Sequence, residues 1–311
     1  MLKLVILIIY FAVLIGIGLY CRKHATDVNG FVLGGRSVGP WLTAFAYGTS
    51  YFSAVVFVGY AGQFGWKYGI AATWAGIGNA IIGSLLAWVV LGRRTRIMSQ
   101  HLDSATMPQY FGKRFGSNPL KIGASVIIFI FLIPYTASLY NGLSRLFGMA
   151  FNIDYSVCII IMATLTAIYV IAGGYMATAI NDFIQGIIML FGIVAVIAAV
   201  IHSKGGFMSA LQGLANVSDP AVSKTPGIFA SFFGPDPFNL LCVVILTSLG
   251  TWGLPQMVQK FYAIDNEASI QKGTVISTIF ALIVSGGCYF LGGFGRLFSD
   301  QIDVKANGFD S

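Results

Sequence analysis

The stretch Thr247-Ser248-Leu249-Gly250-Thr251-Trp252-Gly253-Leu254-Pro255-Gln256 lies inside an apolar run covering residues 237–262. Such a run is long enough to cross a bilayer, whose hydrocarbon core takes about 20 apolar residues. Pro255 has no N–H to offer the carbonyl of Thr251, so a helix through this run keeps a free carbonyl near its middle. Gly250 and Gly253 loosen the backbone around it. In hydrocarbon a free carbonyl persists only where protein, water or an ion satisfies it. Thr247 and Thr251 are one turn apart and put two hydroxyls on one face. The pattern fits a packing kink, and it equally fits a broken helix beside a polar site.

The rest of the chain sets the context. Of its 311 residues 57% are hydrophobic and 9% charged, and the mean hydropathy is +0.81. A soluble domain carries about 25% charged residues, so an ordinary water-soluble globule is excluded. Disorder is excluded too, because 14% of the residues are aromatic. The 38 glycines suit helices that approach closely in lipid. Eight apolar runs read as spans: 2–21, 41–64, 68–92, 120–150, 154–172, 179–202, 237–262 and 273–296. The first reads as a retained span rather than a signal peptide, since no small-residue cleavage site follows it. The expected class is an all-α, multi-pass membrane protein made of one transmembrane domain over residues 1–311.

Charge orients it. One set of loops holds Arg22, Lys23, Arg36, Arg93, Arg94, Arg96, Lys113, Arg114, Lys121, Lys260 and Lys272. The other holds Lys3, Lys67, Arg145, Lys204, Lys224, Arg296 and Lys305. The richer set is expected in the cytoplasm, with both ends of this chain outside. Orientation thus explains the net charge of +7 without invoking nucleic acid.

Enzyme chemistry finds no footing. Cys21, Cys158, Cys242 and Cys288 are scattered in or beside apolar runs, and the histidines lie in loops or at a span end. There is no HExxH, GxSxG or P-loop, so no catalytic residue and no cofactor is expected. Beyond Lys3 at the very start of the first span, the charged residues within the spans are Lys121, Arg145, Asp154, Asp182, Lys260 and Arg296. Asp182 differs in kind, because intramembrane carboxylates mark ion pathways. Gln185 shares its helix face. A helix-start carboxylate favoured by the dipole fits Asp182 equally well.

Two further polar patches matter. Span 2 contains Tyr47-Gly48-Thr49-Ser50-Tyr51-Phe52-Ser53-Ala54, where hydroxyls compete for the backbone ladder. Span 4 contains Pro134-Tyr135-Thr136-Ala137-Ser138, and Pro134 frees the carbonyl of Ile130. Small-residue packing accounts for each patch alone. Together, the patches of spans 2 and 7 match secondary transporters built from inverted repeats, in which a discontinuous helix opens each repeat and its unwound carbonyls coordinate Na⁺. On that scheme residues 41–202 form a first five-helix repeat, 237–296 begin the second, and 2–21 is an extra helix.

These residues carry a resemblance. Phe31-Val32-Leu33-Gly34-Gly35-Arg36-Ser37-Val38-Gly39-Pro40, the span 2 patch, and Met107-Pro108-Gln109-Tyr110-Phe111 with Arg114 resemble the sodium:solute symporter family. So do Gly173-Gly174-Tyr175-Met176-Ala177 leading to Asn181-Asp182-Phe183-Ile184-Gln185, and Pro255-Gln256 with Lys260-Phe261. The likeness is closest to the sodium/proline branch. It implies a LeuT-like inverted-repeat fold and Na⁺-driven uptake of a small organic solute, an amino acid such as proline or another small polar metabolite, by alternating access. It implies Na⁺ at the backbone of Thr49 and Phe52, and a sodium route past Asp182. It implies solute contacts from Ser50, Tyr51, Ser53, Ala54, Tyr135, Thr247, Thr251, Trp252, Pro255 and Gln256.

Departures accompany the likeness. The proline branch has an Asp where this chain has Tyr51, and aromatics at Thr247 and Thr251, which implies a more polar solute here. The family also continues past residue 311 with a span whose hydroxyls complete the sodium shell, so a C-terminally truncated chain is implied. The expected partners are Na⁺, a solute and the lipid of a cell membrane, here a bacterial inner membrane. A proton-coupled transporter and a non-functional fragment remain the alternatives.

Overall fold

The structure is a computed structural model and describes residues 2–53, 55–151 and 153–300. In chain order the α-helices are α1 (Leu2–Cys21), α2 (Val28–Leu33), α3 (Pro40–Tyr51), α4 (Ala61–Tyr68), α5 (Thr73–Gly78), α6 (Arg93–His101) and α7 (Met107–Phe115). They continue with α8 (Asn118–Phe151), α9 (Tyr155–Ser203), α10 (Phe207–Ala215), α11 (Pro237–Leu249), α12 (Pro255–Ala263) and α13 (Glu267–Gly293). Wider π-helical turns run over Val55–Tyr60, Asn79–Leu86 and Trp88–Gly92.

The helix ends follow local chemistry. Asp27 caps α2 by accepting from the Gly30 amide, and Asp236 caps α11 ahead of Pro237 in the first turn. Thr106 caps α7, which Gly116 closes in the left-handed region. Helices α8, α9 and α13 are each long and apolar enough to cross a membrane. Phe129, Phe131, Ile171 and Phe191 stand exposed on α8 and α9, as lipid-facing side chains do and as water would not tolerate.

The spans differ from expectation in two places. The turn between spans 2 and 3 falls at Gly69 (φ 63, ψ −145), not at 65–67. Only glycine adopts that conformation at low cost. Spans 5 and 6 are not separated by a loop. They are halves of α9, whose 49 residues are divided at Gly174 (φ 57, ψ −150). A side chain there would also strike the backbone of Phe31.

The chain forms two compact units. The first comprises residues 1–51, 88–186 and 253–276, and the second comprises 52–87, 187–252 and 277–311. The chain passes from one to the other at Tyr51/Phe52, Ala87/Trp88, Gly186/Ile187, Trp252/Gly253 and Ile276/Ser277. Two of these crossings, the first and the fourth, fall where helices are interrupted.

In the first unit, Leu33, Val38, Tyr175, Val258 and Tyr262 share an apolar core. Tyr47, Trp88 and Phe261 form an aromatic triad with centroids 5.1–5.7 Å apart. In the second unit, Val56, Ile193, Val244, Cys288 and Tyr289 pack together. There the backbones of Gly65 and Gly292 touch so closely that a Cβ on either would collide.

Candidate functional site

Helix α3 stops at Tyr51, Phe52 is a bend, and Ser53 has no regular structure. Winding resumes at Val55 in π-helical form. Ala54 lies outside the described residues. Just before the break the Thr49 hydroxyl donates to the Phe45 carbonyl at 2.9 Å, competing within the ladder. The Ser53 carbonyl then accepts from the amides of Val56 (3.0 Å) and Phe57 (3.3 Å) and starts the next turn. Thr49 and Ser50 are half-buried, whereas Tyr51 and Phe52 are buried. The Tyr51 ring stands edge-on to Tyr47 at 6.3 Å.

In the first unit, Asp182 on α9 meets two partners. The Lys260 ammonium on α12 is 3.7 Å from its carboxylate, with side-chain exposures of 8% for Lys260 and 22% for Asp182. The Thr49 side chain lies beside the same carboxylate, with its one hydroxyl proton directed to the Phe45 carbonyl. The Lys260 Nζ stands 5.0 Å from the centroid of the Tyr175 ring. Thus α3, α9 and α12 converge on one acid. Gln185, which shares the helix face of Asp182, bonds Tyr10, a side chain that also feels the Asp182 charge. The sequence placed Lys260 near a span end and missed this pairing. The signal was a lone intramembrane carboxylate, which requires a cation. Since Asp182 already holds an ammonium, a second cation reaching it must displace or share that partner.

Helix α12, which carries Lys260, is held by the motif before span 2. Gly34, Gly35 and Arg36 are all left-handed, with φ of 57, 66 and 55. This aims the Arg36 guanidinium at the Ser104 carbonyl (2.8 Å), the Ser99 hydroxyl (3.3 Å) and the Tyr262 carbonyl (3.4 Å). Burial pulls Arg36 below its ordinary pKa, while nearby Asp103 works against that. Val38 pairs with the end of α12, accepting from the Asp265 amide at 3.1 Å. The Gln259 amide donates to the Val32 carbonyl at 2.6 Å.

Span 7 is broken rather than kinked. Helix α11 ends at Leu249 and α12 begins at Pro255. A proline alone frees one carbonyl, but here the residue before it, Leu254, is extended (ψ 127), as proline demands of its predecessor. In the second unit, Thr251 donates to the Ser248 carbonyl at 3.0 Å. The Thr247 hydroxyl lies 3.0 Å from Asn79 Oδ1, and the Trp252 indole N–H donates to the Ile82 carbonyl at 3.0 Å. In the first unit, both ends of the Gln256 side-chain amide are buried without a protein partner, next to Pro255 at the start of α12. Tyr135 is half-buried on α8, which runs through Pro134 without interruption. The patch of span 4 is therefore not a third break.

With this geometry in place, similarity to known proteins becomes informative. The sequence pattern of the sodium:solute symporter family matches residues 31–301. The chain belongs to the sodium:solute symporter family. Its relatives include the osmoregulated proline transporter OpuE of Bacillus subtilis, 29% identical over 299 residues, 95% of this chain and 59% of that protein. The sodium/proline symporter of Staphylococcus aureus is 30% identical over 97% of this chain and 57% of its own length. A Na⁺-coupled sialic acid symporter, solved in a substrate-bound outward-open state, superposes with a TM-score of 0.74 at 16% identity, over all of this chain and 64% of that one. This symporter-family chain thus has the LeuT-like membrane fold. It spans under two thirds of the length of each of these proteins.

Proposed function

We propose that the intact protein carries a small organic solute into the cell together with Na⁺, by alternating access. The observation that carries this is the coincidence of two sequence-marked polar patches, Thr49–Ser53 and Thr247–Gln256, with interruptions of their helices. Unwound backbone at membrane depth needs a polar occupant, and broken helices opening each repeat are where secondary transporters hold ions. In this proposal residues 41–202 are the first repeat, 237–296 open the second, and 2–21 is additional. Na⁺ is held by backbone at Thr49 and Phe52 and passes Asp182 to a cytoplasm on the Arg-rich side of a bacterial inner membrane. The solute contacts come from Ser50, Tyr51, Ser53 and Ala54, from Tyr135, and from Thr247, Thr251, Trp252, Pro255 and Gln256. The curated relatives named above are proline transporters, so proline is the first solute to test, followed by more polar metabolites.

The test is uptake into vesicles bearing the intact protein, under an imposed Na⁺ gradient or an imposed H⁺ gradient. Na⁺-driven accumulation is expected, and accumulation driven by H⁺ alone overturns the proposal. Asp182→Asn should raise the Na⁺ concentration for half-maximal uptake about tenfold, the worth of one charge-assisted contact. An unchanged value removes Asp182 from the sodium route.

A further inference from the structure

We infer that Asn79 is the positioning residue for the interrupted stretch of span 7, holding the end of α11 so that Thr251 and Trp252 are presented in one place. This deepens the symport proposal and rests on it for the meaning of that stretch. Asn79 is 1% exposed, in an apolar span. Its Oδ1 lies 3.0 Å from the Thr247 hydroxyl and 3.1 Å from the Ser248 hydroxyl, and its Nδ2 donates to Ser285 on α13 at 3.3 Å. Those two hydroxyls belong to the last turn of α11, just before the helix gives way.

The neighbouring backbone serves the same end. Asn79 opens the π-helical segment Asn79–Leu86. Such wide turns are rare and gather at functional positions. The Ile82 carbonyl of that segment accepts the Trp252 indole N–H at 3.0 Å. One stretch of span 3 therefore grips span 7 on both sides of Thr251, through Thr247 and Ser248 before it and Trp252 after it. Gly78 makes the approach possible, because a side chain there would collide with Val244 of α11. The Thr247 hydroxyl also lies 2.9 Å from the Val243 carbonyl, so its single proton is spoken for within the protein. Thr251, whose hydroxyl follows the Ser248 carbonyl, depends on where Ser248 is held.

An amide that merely glues two spans would stabilise folding without setting the course of residues 250–253, and this separates the two roles. Gly253 is exposed, and a Cβ there meets nothing within 4 Å. Gly253→Cys, in full-length protein with the exposed Cys242 replaced by Ser, is therefore a reporter that does not itself disturb packing. Its maleimide labelling rate in vesicles needs no transported solute, so failure of the symport proposal and failure of this inference are read separately. Asn79→Leu should change that rate about fivefold, the effect of losing roughly one buried interhelical contact. Thr247→Val with Ser248→Ala should change it in the same sense, and adding Asn79→Leu to that pair should change it no further. Thr247→Ser should label like the parent. An unchanged rate in Asn79→Leu overturns the inference, and so do effects that multiply when combined. If Asn79→Leu does not insert, the Thr247→Val and Ser248→Ala pair carries the test, and an unchanged rate there overturns it.

Discussion

In the unit made of residues 1–51, 88–186 and 253–276, cations make many of the connections between segments, beside neutral ties such as Gln259 to Val32. Lys260 meets Asp182 and Tyr175, Arg36 binds Ser99, Ser104 and Tyr262, and Arg93 meets Glu267 at 2.6 Å. In the unit made of 52–87, 187–252 and 277–311, they run mostly through neutral groups and bare backbone. Asn79 joins Thr247, Ser248 and Ser285, Ser84 meets Ser277 at 2.8 Å, and Gly65 lies against Gly292. All eleven basic residues of the richer set fall in the first unit, whereas Lys67, Lys204, Lys224 and Arg296 fall in the second. Lys204, which donates to the Leu297 carbonyl at 2.7 Å, is one exception, and Arg296 is another. Its guanidinium is stacked on Phe229 at 3.8 Å and paired with Asp219 at 3.0 Å, so its charge is compensated. Charge makes strong, directional ties but leaves a large penalty when one partner goes. Small neutral groups make weak ties but permit close backbone contact.

The contrast is open to direct attack. Lys260→Met leaves the Asp182 carboxylate without its cation and should cost about 3 kcal/mol of stability. The same change combined with Asp182→Asn should recover most of that, as read from denaturant unfolding in detergent. A double variant as weak as the single would deny that charge is the fastening. In the second unit, Gly65→Ala inserts a methyl between touching backbones and should cost about 2 kcal/mol. Gly253→Ala, which meets open space, should cost under about 0.5 kcal/mol. Equal effects would mean that the close approach contributes nothing. The smallest change is expected at Arg93→Ala. That pair is exposed (71% and 51%), so its loss should cost less than about 0.5 kcal/mol and vanish in high salt.

Much of the fold was legible because it is written in local chemistry. The length of an apolar run marks a span, a proline without an N–H marks where a ladder fails, and clustered hydroxyls mark where it loosens. That is why the interruptions after Tyr51 and Leu249 coincide with the patches read from sequence. Local reading erred where glycine conformation decided the outcome. Gly174 divides α9 without a loop, and Gly69, not residues 65–67, turns the chain.

The sequence alone determined a membrane-spanning, helical chain and its symporter family, and it marked the two stretches where helices break, since each depends on residues close together along the chain. Only the tertiary structure decided that Lys260 answers Asp182 and that Asn79, 168 residues away, answers Thr247. A polar group in hydrocarbon announces that it needs a partner, but which residue supplies one depends on which helix faces meet.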